Sequence, residues 1–372
     1  MATPAKKDIL LVGFGAVGAM YSHILERSGL TQVTSVARSN YERVKAEGLH
    51  IKSKKYGEHK AWRPYRLCNS VASATDRPYS YVFVTTKCIP ELSKNADILA
   101  PLINSHHGPT TYVLLQNGLG VELDLYEALQ RAGSASNIVS TALYIGTNML
   151  EPNVVEHNMF DRVQLGVYRH GDFTTLKNTP KEELLLRDLE AILAAGGTTA
   201  SVVPEIQRAK FAKNFWNVAF SSYATLTGYT VPALFRPPPS VPGLSYAPYV
   251  FPATADLIAK YTLPAIEAAL HELVSLGRAL GFEDNEAGLP SSAVKDTMEH
   301  TRVLHVAPDN THKPSMMLDA EKGVPIEVEV ILGSVVRLAR ERSVPVPRIE
   351  MLYGLLLVVQ NQILRKRASG SV

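Results

Sequence analysis

The run Asp8-Ile9-Leu10-Leu11-Val12-Gly13-Phe14-Gly15-Ala16-Val17-Gly18 decides the fold. Ile9 to Val12 form an unbroken apolar stretch, as expected of a strand buried on both faces of a parallel sheet. Glycines then fall at G-x-G-x-x-G spacing, and the small, apolar segment Ala19 to Leu25 reads as a helix. Each glycine has its own physical reason. Gly13 allows the tight turn out of the strand, Gly15 lets a pyrophosphate approach the backbone, and Gly18 lets the helix lie close to the strand. The N–H groups and positive dipole end at the start of that helix suit an anionic ligand. A glycine turn without such flanks would be a common tight turn; here both flanks are present.

Outward from this motif, residues 7 to about 203 alternate apolar strands with helical patterns, as a doubly wound α/β domain requires. From Pro204 onward the apolar spacing is mostly helical, so the predicted boundary falls at 203/204. Residues 1–203 are expected to form a Rossmann-type domain, and 204–372 a helical domain with a proline-rich excursion over 236–252. The predicted second strand, Gln32 to Arg38, ends in an arginine 20 residues beyond Gly18. An NAD-binding fold usually has a carboxylate there for the ribose 2′-OH, whereas a guanidinium suits a 2′-phosphate, so the reading favours NADP(H). Two further strands, Tyr81 to Thr86 and Thr111 to Leu115, run into Lys87 and into Gln116-Asn117-Gly118. Both loops belong at the carboxyl edge of the sheet, which makes Lys87 and Asn117 candidates for the nicotinamide end and the substrate.

Composition narrows the class. With 46% hydrophobic and 20% charged residues in 372, the chain reads as a globular protein of two domains. A formal charge of +3 gives no reason to expect a nucleic-acid partner. The apolar run Leu355 to Val359 is too short to span a bilayer, so no membrane association is expected. Residues 1–7 lack the apolar core of a secretory leader. Two cysteines, Cys68 and Cys88, cannot form a metal cluster, so no metal is expected, and they suggest a reducing compartment; cytoplasm is the expected location.

The helix after Pro204 sets Lys213, Asn217 and Ser221 four residues apart, on one face, among Phe215, Trp216, Val218, Ala219 and Phe220. Burying a lysine in such company costs several kcal/mol unless it has partners or lines a cleft. A solvated face is the plainer alternative. Lys210 and Asn214 offer the same four-residue step, so the spacing leaves two registers open. Further on, Ser315-Met316-Met317-Leu318-Asp319 precedes Glu327, which is expected in the first turn of a helix, where a carboxylate suits the dipole.

Taken in order, these motifs resemble the ketopantoate reductases (2-dehydropantoate 2-reductases), NADPH-dependent enzymes of pantothenate and coenzyme A synthesis. Gly13-Phe14-Gly15-Ala16-Val17-Gly18 resembles the family's dinucleotide turn, Arg38 its 2′-phosphate arginine, Lys87 its strand-end lysine, and Gln116-Asn117-Gly118-Leu119-Gly120 its asparagine motif. The segment Lys213 to Phe220 is similar to the catalytic helix, and Ser315 to Asp319 with Glu327 to the substrate motif. The resemblance implies catalytic roles for Lys213 and Glu327, substrate binding by Asn117, Asn217, Ser221 and Ser315, and cofactor contacts from the glycine turn, Arg38, Lys87, Asn117 and Glu327. It selects Lys213 over Lys210, because Asn217-Val218-Ala219-Phe220 and Leu226-Thr227-Gly228 then fall in step. Asp319 reads as a supporting residue. The resemblance also implies an active site in the cleft between the domains, and a small 2-oxo acid as substrate. One departure stands out: Ser221 occupies a position where the family commonly has a second asparagine, which bears on substrate choice. A reductase of another 2-oxo acid or ketone is the first alternative, and a non-catalytic NADP(H)-binding module the second. Oligomeric state is left open, a homodimer among the options.

Overall fold

The computed structural model describes residues 5–370 except 106, 108, 109 and 241. The chain divides into two compact units, Met1–Lys210 and Phe211–Val372. The division falls inside a continuous helix, not in a linker.

The first unit runs β1 (Lys7–Val12), α1 (Ala16–Arg27), β2 (Thr31–Val36), α2 (Tyr41–Glu47), β3 (Leu49–Ser53), β4 (Gly57–Trp62), β5 (Arg66–Cys68), β6 (Tyr81–Val84), α3 (Asn95–Ile103), β7 (Thr111–Leu114), α4 (Leu123–Arg131), β8 (Asn137–Glu151), β9 (Val154–Val167), α5 (Pro180–Ala195), β10 (Thr199–Val202) and α6 (Ile206–Trp216). Its strands form one sheet of order β4-β3-β9-β8-β7-β6-β1-β2-β5, with β10 beside β9. Across β5-β2-β1-β6-β7-β8 every pairing is parallel. This is the strand order of dinucleotide-binding folds, and it reverses between β1 and β6, the point where such sheets open a ligand crevice. Ile9, Leu10 and Leu11 are fully buried, as strands covered on both faces require.

The far side of the sheet differs from the sequence expectation. Residues 140–167 suggest three short strands, but β8 and β9 form a long antiparallel hairpin paired from Val139–Val167 to Glu151–Val154. Polar residues inside β9 disguise it. His157 is buried and its Nδ1 bonds Ser53 Oγ at 2.8 Å, while buried Asp161 accepts from Tyr56 Oη at 2.7 Å and Thr198 Oγ1 at 2.8 Å. Partnered this way, polar side chains sit in the core and break the apolar alternation.

The second unit holds a π turn at Asn217–Ser221, then α7 (Ser222–Thr227), α8 (Pro232–Phe235), α9 (Ala255–Leu257), a π turn at Ile258–Thr262, α10 (Leu263–Ala279), α11 (Ala293–His305), α12 (Ser315–Glu321), a π turn at Glu329–Gly333, α13 (Ser334–Glu341) and α14 (Pro347–Ala368). Among the described residues it has no strand. Gly228 closes α7 in the left-handed conformation, φ 72°. Residues 236–251 carry no helix or strand where described, as their prolines dictate; residue 241 lies outside the described set. Glu327 sits just before the first helical residue, Val328, instead of in the first turn, and its backbone carbonyl accepts from Ile331 N at 3.1 Å. No helix among the described residues is long and apolar enough to cross a membrane.

Candidate active site

In the first unit the candidate residues gather where β1, β6 and β7 end. Gly13 has φ +103°, and a Cβ there would lie 2.7 Å from Thr86 N. A Cβ on Gly18 would lie 1.8 Å from the Gly13 carbonyl oxygen and 2.6 Å from Thr85 Oγ1. Both glycines are therefore demanded by close packing of the turn on the β6 loop. Gly15 is different: its φ is an ordinary −77°, and a Cβ would meet nothing within 4 Å. It fronts open space at the start of α1, whose N-terminus has no side-chain cap. Uncapped N–H groups, a dipole end and room for a phosphate are what a pyrophosphate needs, so the turn fits a dinucleotide. Phe14 is buried and its carbonyl accepts from Asn40 Nδ2 at 2.9 Å; the same amide donates to Pro152 O at 3.0 Å. Ala16 and Val17 are half-buried on the first turn of α1.

Arg38 lies two residues beyond β2, exposed and without an ion-pair partner among the described residues. Its guanidinium is available to a phosphate. Lys87 is exposed after β6 and Asn117 half-buried after β7. Buried Gln116 couples their loops: its Nε2 donates to Thr86 O and Asn95 Oδ1, both at 2.9 Å, while Asn95 Nδ2 donates to Val121 O at 2.8 Å. Beneath this loop Glu122 accepts from Ser140 Oγ and from Lys210 Nζ, and Lys210 Nζ also donates to Ser140 Oγ at 2.9 Å. All three are buried, with Lys210 4% exposed.

In the second unit Lys213 and Asn217 are half-buried and Ser221 is 2% exposed. Asn217 opens the π turn and Ser221 closes it. Buried Asn214 donates from Nδ2 to the carbonyl of Ile331, inside the π turn at Glu329–Gly333, at 2.8 Å. The two π turns pack on each other, and α12, with exposed Ser315 as its first residue, packs on the first of them. Such turns free backbone carbonyls and recur at functional sites. Glu327 is 7% exposed, and Asp319 is buried on α12. Gln360 of α14 clamps the preceding residue, its Oε1 accepting from Ile326 N at 2.9 Å and its Nε2 donating to Ile326 O at 3.0 Å. The structure thus groups Lys213, Asn217 and Ser221 on one helical rod and packs the segments bearing Glu327 and Ser315 beside it. Asn40, Glu122, Ser140 and Gln360 escaped the sequence reading, as did the contacts of Gln116 and Lys210, both of which it named. Their partners are remote in sequence, and no local pattern announces them. Among the described residues no group of His, Cys, Asp and Glu is arranged to hold a metal.

A parallel sheet of this order, a glycine turn fitted to a dinucleotide and a following helical unit together define a dinucleotide-binding protein of the Rossmann type. The family description "Ketopantoate reductase PanE/ApbA" matches residues 9–170, and "Ketopantoate reductase PanE/ApbA C terminal" matches 251–360. The chain belongs to the ketopantoate reductase family, whose members are NAD(P)H-dependent reductases. It is 26% identical over 374 residues to an uncharacterised protein of Saccharomyces cerevisiae, covering 96% of this chain and 95% of that one. Among solved structures, 2-dehydropantoate 2-reductase from Methylococcus capsulatus aligns with a TM-score of 0.72 at 26% identity, covering 96% and 97% of the two chains. D-mandelate dehydrogenase with NADH and anilino(oxo)acetate has the same fold, with a TM-score of 0.72 at 18% identity over 96% and 99%.

Proposed function

We propose that this chain reduces 2-dehydropantoate to pantoate with NADPH, Lys213 acting as general acid, as a cytoplasmic step of pantothenate and coenzyme A synthesis. The observation that carries the reading is the contrast between two lysines on one helix. Lys210 is buried and committed to Glu122 and Ser140. Lys213 is half-buried and heads the series Asn217, Ser221. That contrast supports Lys213 as the register that does chemistry.

The glycine turn and the start of α1 would hold the cofactor's pyrophosphate, Arg38 its 2′-phosphate, and Lys87, Asn117 and Glu327 its nicotinamide end. When bound, the cofactor supplies a hydride to the ketone carbon. Lys213, as ammonium, stabilises the negative charge growing on the ketone oxygen and gives it a proton. Asn117, Asn217, Ser221 and Ser315 hydrogen-bond the polar groups of the substrate. The Glu327 carboxylate, an acceptor only, takes a hydrogen bond from the substrate hydroxyl.

A second reading keeps the chemistry and changes the 2-oxo acid. It is favoured by Ser221, which offers one hydroxyl where an amide would offer two donor hydrogens and an acceptor, and by the fold shared with D-mandelate dehydrogenase. Initial rates with NADPH and NADH, each against 2-dehydropantoate and a panel of other 2-oxo acids, separate the two. NADPH with 2-dehydropantoate should give the highest kcat/KM. Lys213→Ala should lower kcat by roughly 10²–10⁴, the scale of a lost general acid. Near-normal turnover in Lys213→Ala would overturn the assignment.

A further inference from the structure

We propose that the buried Glu122–Ser140–Lys210 cluster is a positioning device that fixes the register of α6, the helix that carries Lys213, against β8 and the residue that opens α4. The inference rests on the role proposed for Lys213. Each member of the cluster reads a different element. Glu122 closes the loop that begins at Gln116, Ser140 belongs to β8 beside β7, and Lys210 belongs to α6. Lys210 is 88 residues from Glu122 and 70 from Ser140, so the cluster exists only in the folded unit.

Stability alone does not account for it. Removing two charges from water costs about as much as their attraction returns, and an apolar pair of similar volume would serve stability as well or better. What an ion pair sharing a hydroxyl adds is a single defined arrangement. The carboxylate accepts from both partners, and the ammonium donates to both. Apolar groups would allow α6 to slide or roll at little cost.

The rest of α6 is held in the same manner. Glu205, 2% exposed, accepts from Gln207 N at 3.0 Å and from Arg208 N. Gln207 Nε2 donates to Arg169 O at 3.0 Å and Asp172 O at 2.7 Å. One turn beyond Lys210, Asn214 is fastened to Ile331 O. Lys213 lies between the last two anchors, about 4.5 Å along the axis from Lys210 at the rise of an α-helix. A misplacement of about 1 Å costs proton- and hydride-transfer sites on the order of 10² in rate. The alternative lysine–asparagine register seen in the sequence is, on this account, the clamp for the register that reacts.

The test compares Lys210→Met, the double variant Glu122→Gln/Lys210→Met, Lys210→Arg and Lys213→Ala, using the best 2-oxo acid of the panel above. Lys210→Met strands a buried carboxylate and should lose thermal stability. The double variant removes both charges and should regain the wild-type melting temperature. If the cluster positions Lys213, the double variant still shows kcat down by roughly 10- to 100-fold, KM for NADPH within about threefold and an altered alkaline limb in the kcat–pH profile. Lys210→Arg keeps the charge and should recover part of kcat. A double variant with wild-type melting temperature, kcat and pH profile overturns the proposal while leaving Lys213 untouched. Full turnover by Lys213→Ala overturns both it and the reading beneath it.

Discussion

At the scale of single residues, the three glycines of the first turn separate packing from binding. Gly18→Ala drives a methyl into the Gly13 carbonyl, so α1 must shift; about 1–3 kcal/mol of stability should go with it, as for overpacking generally. Gly15→Ala places its methyl in open space at an ordinary backbone conformation, and the melting temperature should stay put. The same methyl occupies the room left for a pyrophosphate, so NADPH affinity should drop by roughly tenfold or more, equivalent to about 1.4 kcal/mol per decade. Isothermal titration beside thermal unfolding reads both effects. A Gly15→Ala chain that binds NADPH normally would remove the turn from the site.

His23 makes a separate residue-scale prediction. It is 5% exposed, neither ring nitrogen has a hydrogen-bond partner, and it lies against His59, Tyr56 and Trp62. Burial, reinforced by His59 and Arg27, lowers its pKa to about 4. Unfolded, it returns to the ordinary histidine value. Between those values the unfolded chain binds a proton that the folded chain refuses, so stability is full above about pH 6.5 and falls as pH drops towards 4. At pH 4.5 the loss due to this ring should be about 2.5 kcal/mol. Urea midpoints for the wild type and His23→Phe at pH 7.5 and 4.5 isolate it. The variant should lose less stability on acidification, and equal losses would show that the ring is protonated in the folded chain.

Elements are held in the second unit by single polar groups reaching across, and Glu272 shows the pattern. It belongs to α10 and is 7% exposed, yet its carboxylate accepts from Arg348 N at 3.2 Å and Ile349 N at 3.1 Å at the start of α14. Pro347, the first residue of that helix, has no N–H, so the carboxylate serves the first two donors that exist. Glu272→Ala leaves them unpaired and removes a negative charge from a helix N-terminus; about 2–3 kcal/mol should be lost. A lowered urea midpoint at unchanged m-value would register it. Contacts of this kind also mark the limit of what the sequence disclosed. Local devices were legible: the glycine turn, the strands running into Lys87 and Asn117, and the four-residue step from Lys213 to Asn217 and Ser221. Hidden were devices joining distant segments. The β8–β9 hairpin keeps buried His157 and Asp161 content through Ser53, Tyr56 and Thr198, which no alternation rule anticipates. The π turn at Asn217–Ser221 leaves the four-residue spacing intact, so spacing could not reveal it. Nothing local pairs Glu122 with Lys210, 88 residues apart, and only the fold brings them together.

For the whole molecule, the consequence lies in where the two units join. The division between Lys210 and Phe211 cuts α6, and the residues on either side are both buried, Lys210 with Glu122 and Phe211 with its ring 5.4 Å from that of Phe282. Were the second unit to unfold alone, α6 would keep only Ile206–Lys210, little more than one turn, held by Glu205, by Gln207 on Arg169 O and Asp172 O, and by Lys210 itself at its new, frayed end. Its fraying would withdraw Lys210 and leave Glu122 as an unpaired buried charge, a strongly destabilising change for the first unit. Unfolding of the two units should therefore be coupled through α6. Scanning calorimetry should show one transition, with calorimetric and van't Hoff enthalpies in agreement. NADPH at about a hundred times its Kd adds roughly 2.7 kcal/mol to the state that binds it, and the entire transition should move upward. Two resolved peaks, only one of them moved by NADPH, would show that α6 can be severed cheaply and that each unit answers for its own stability.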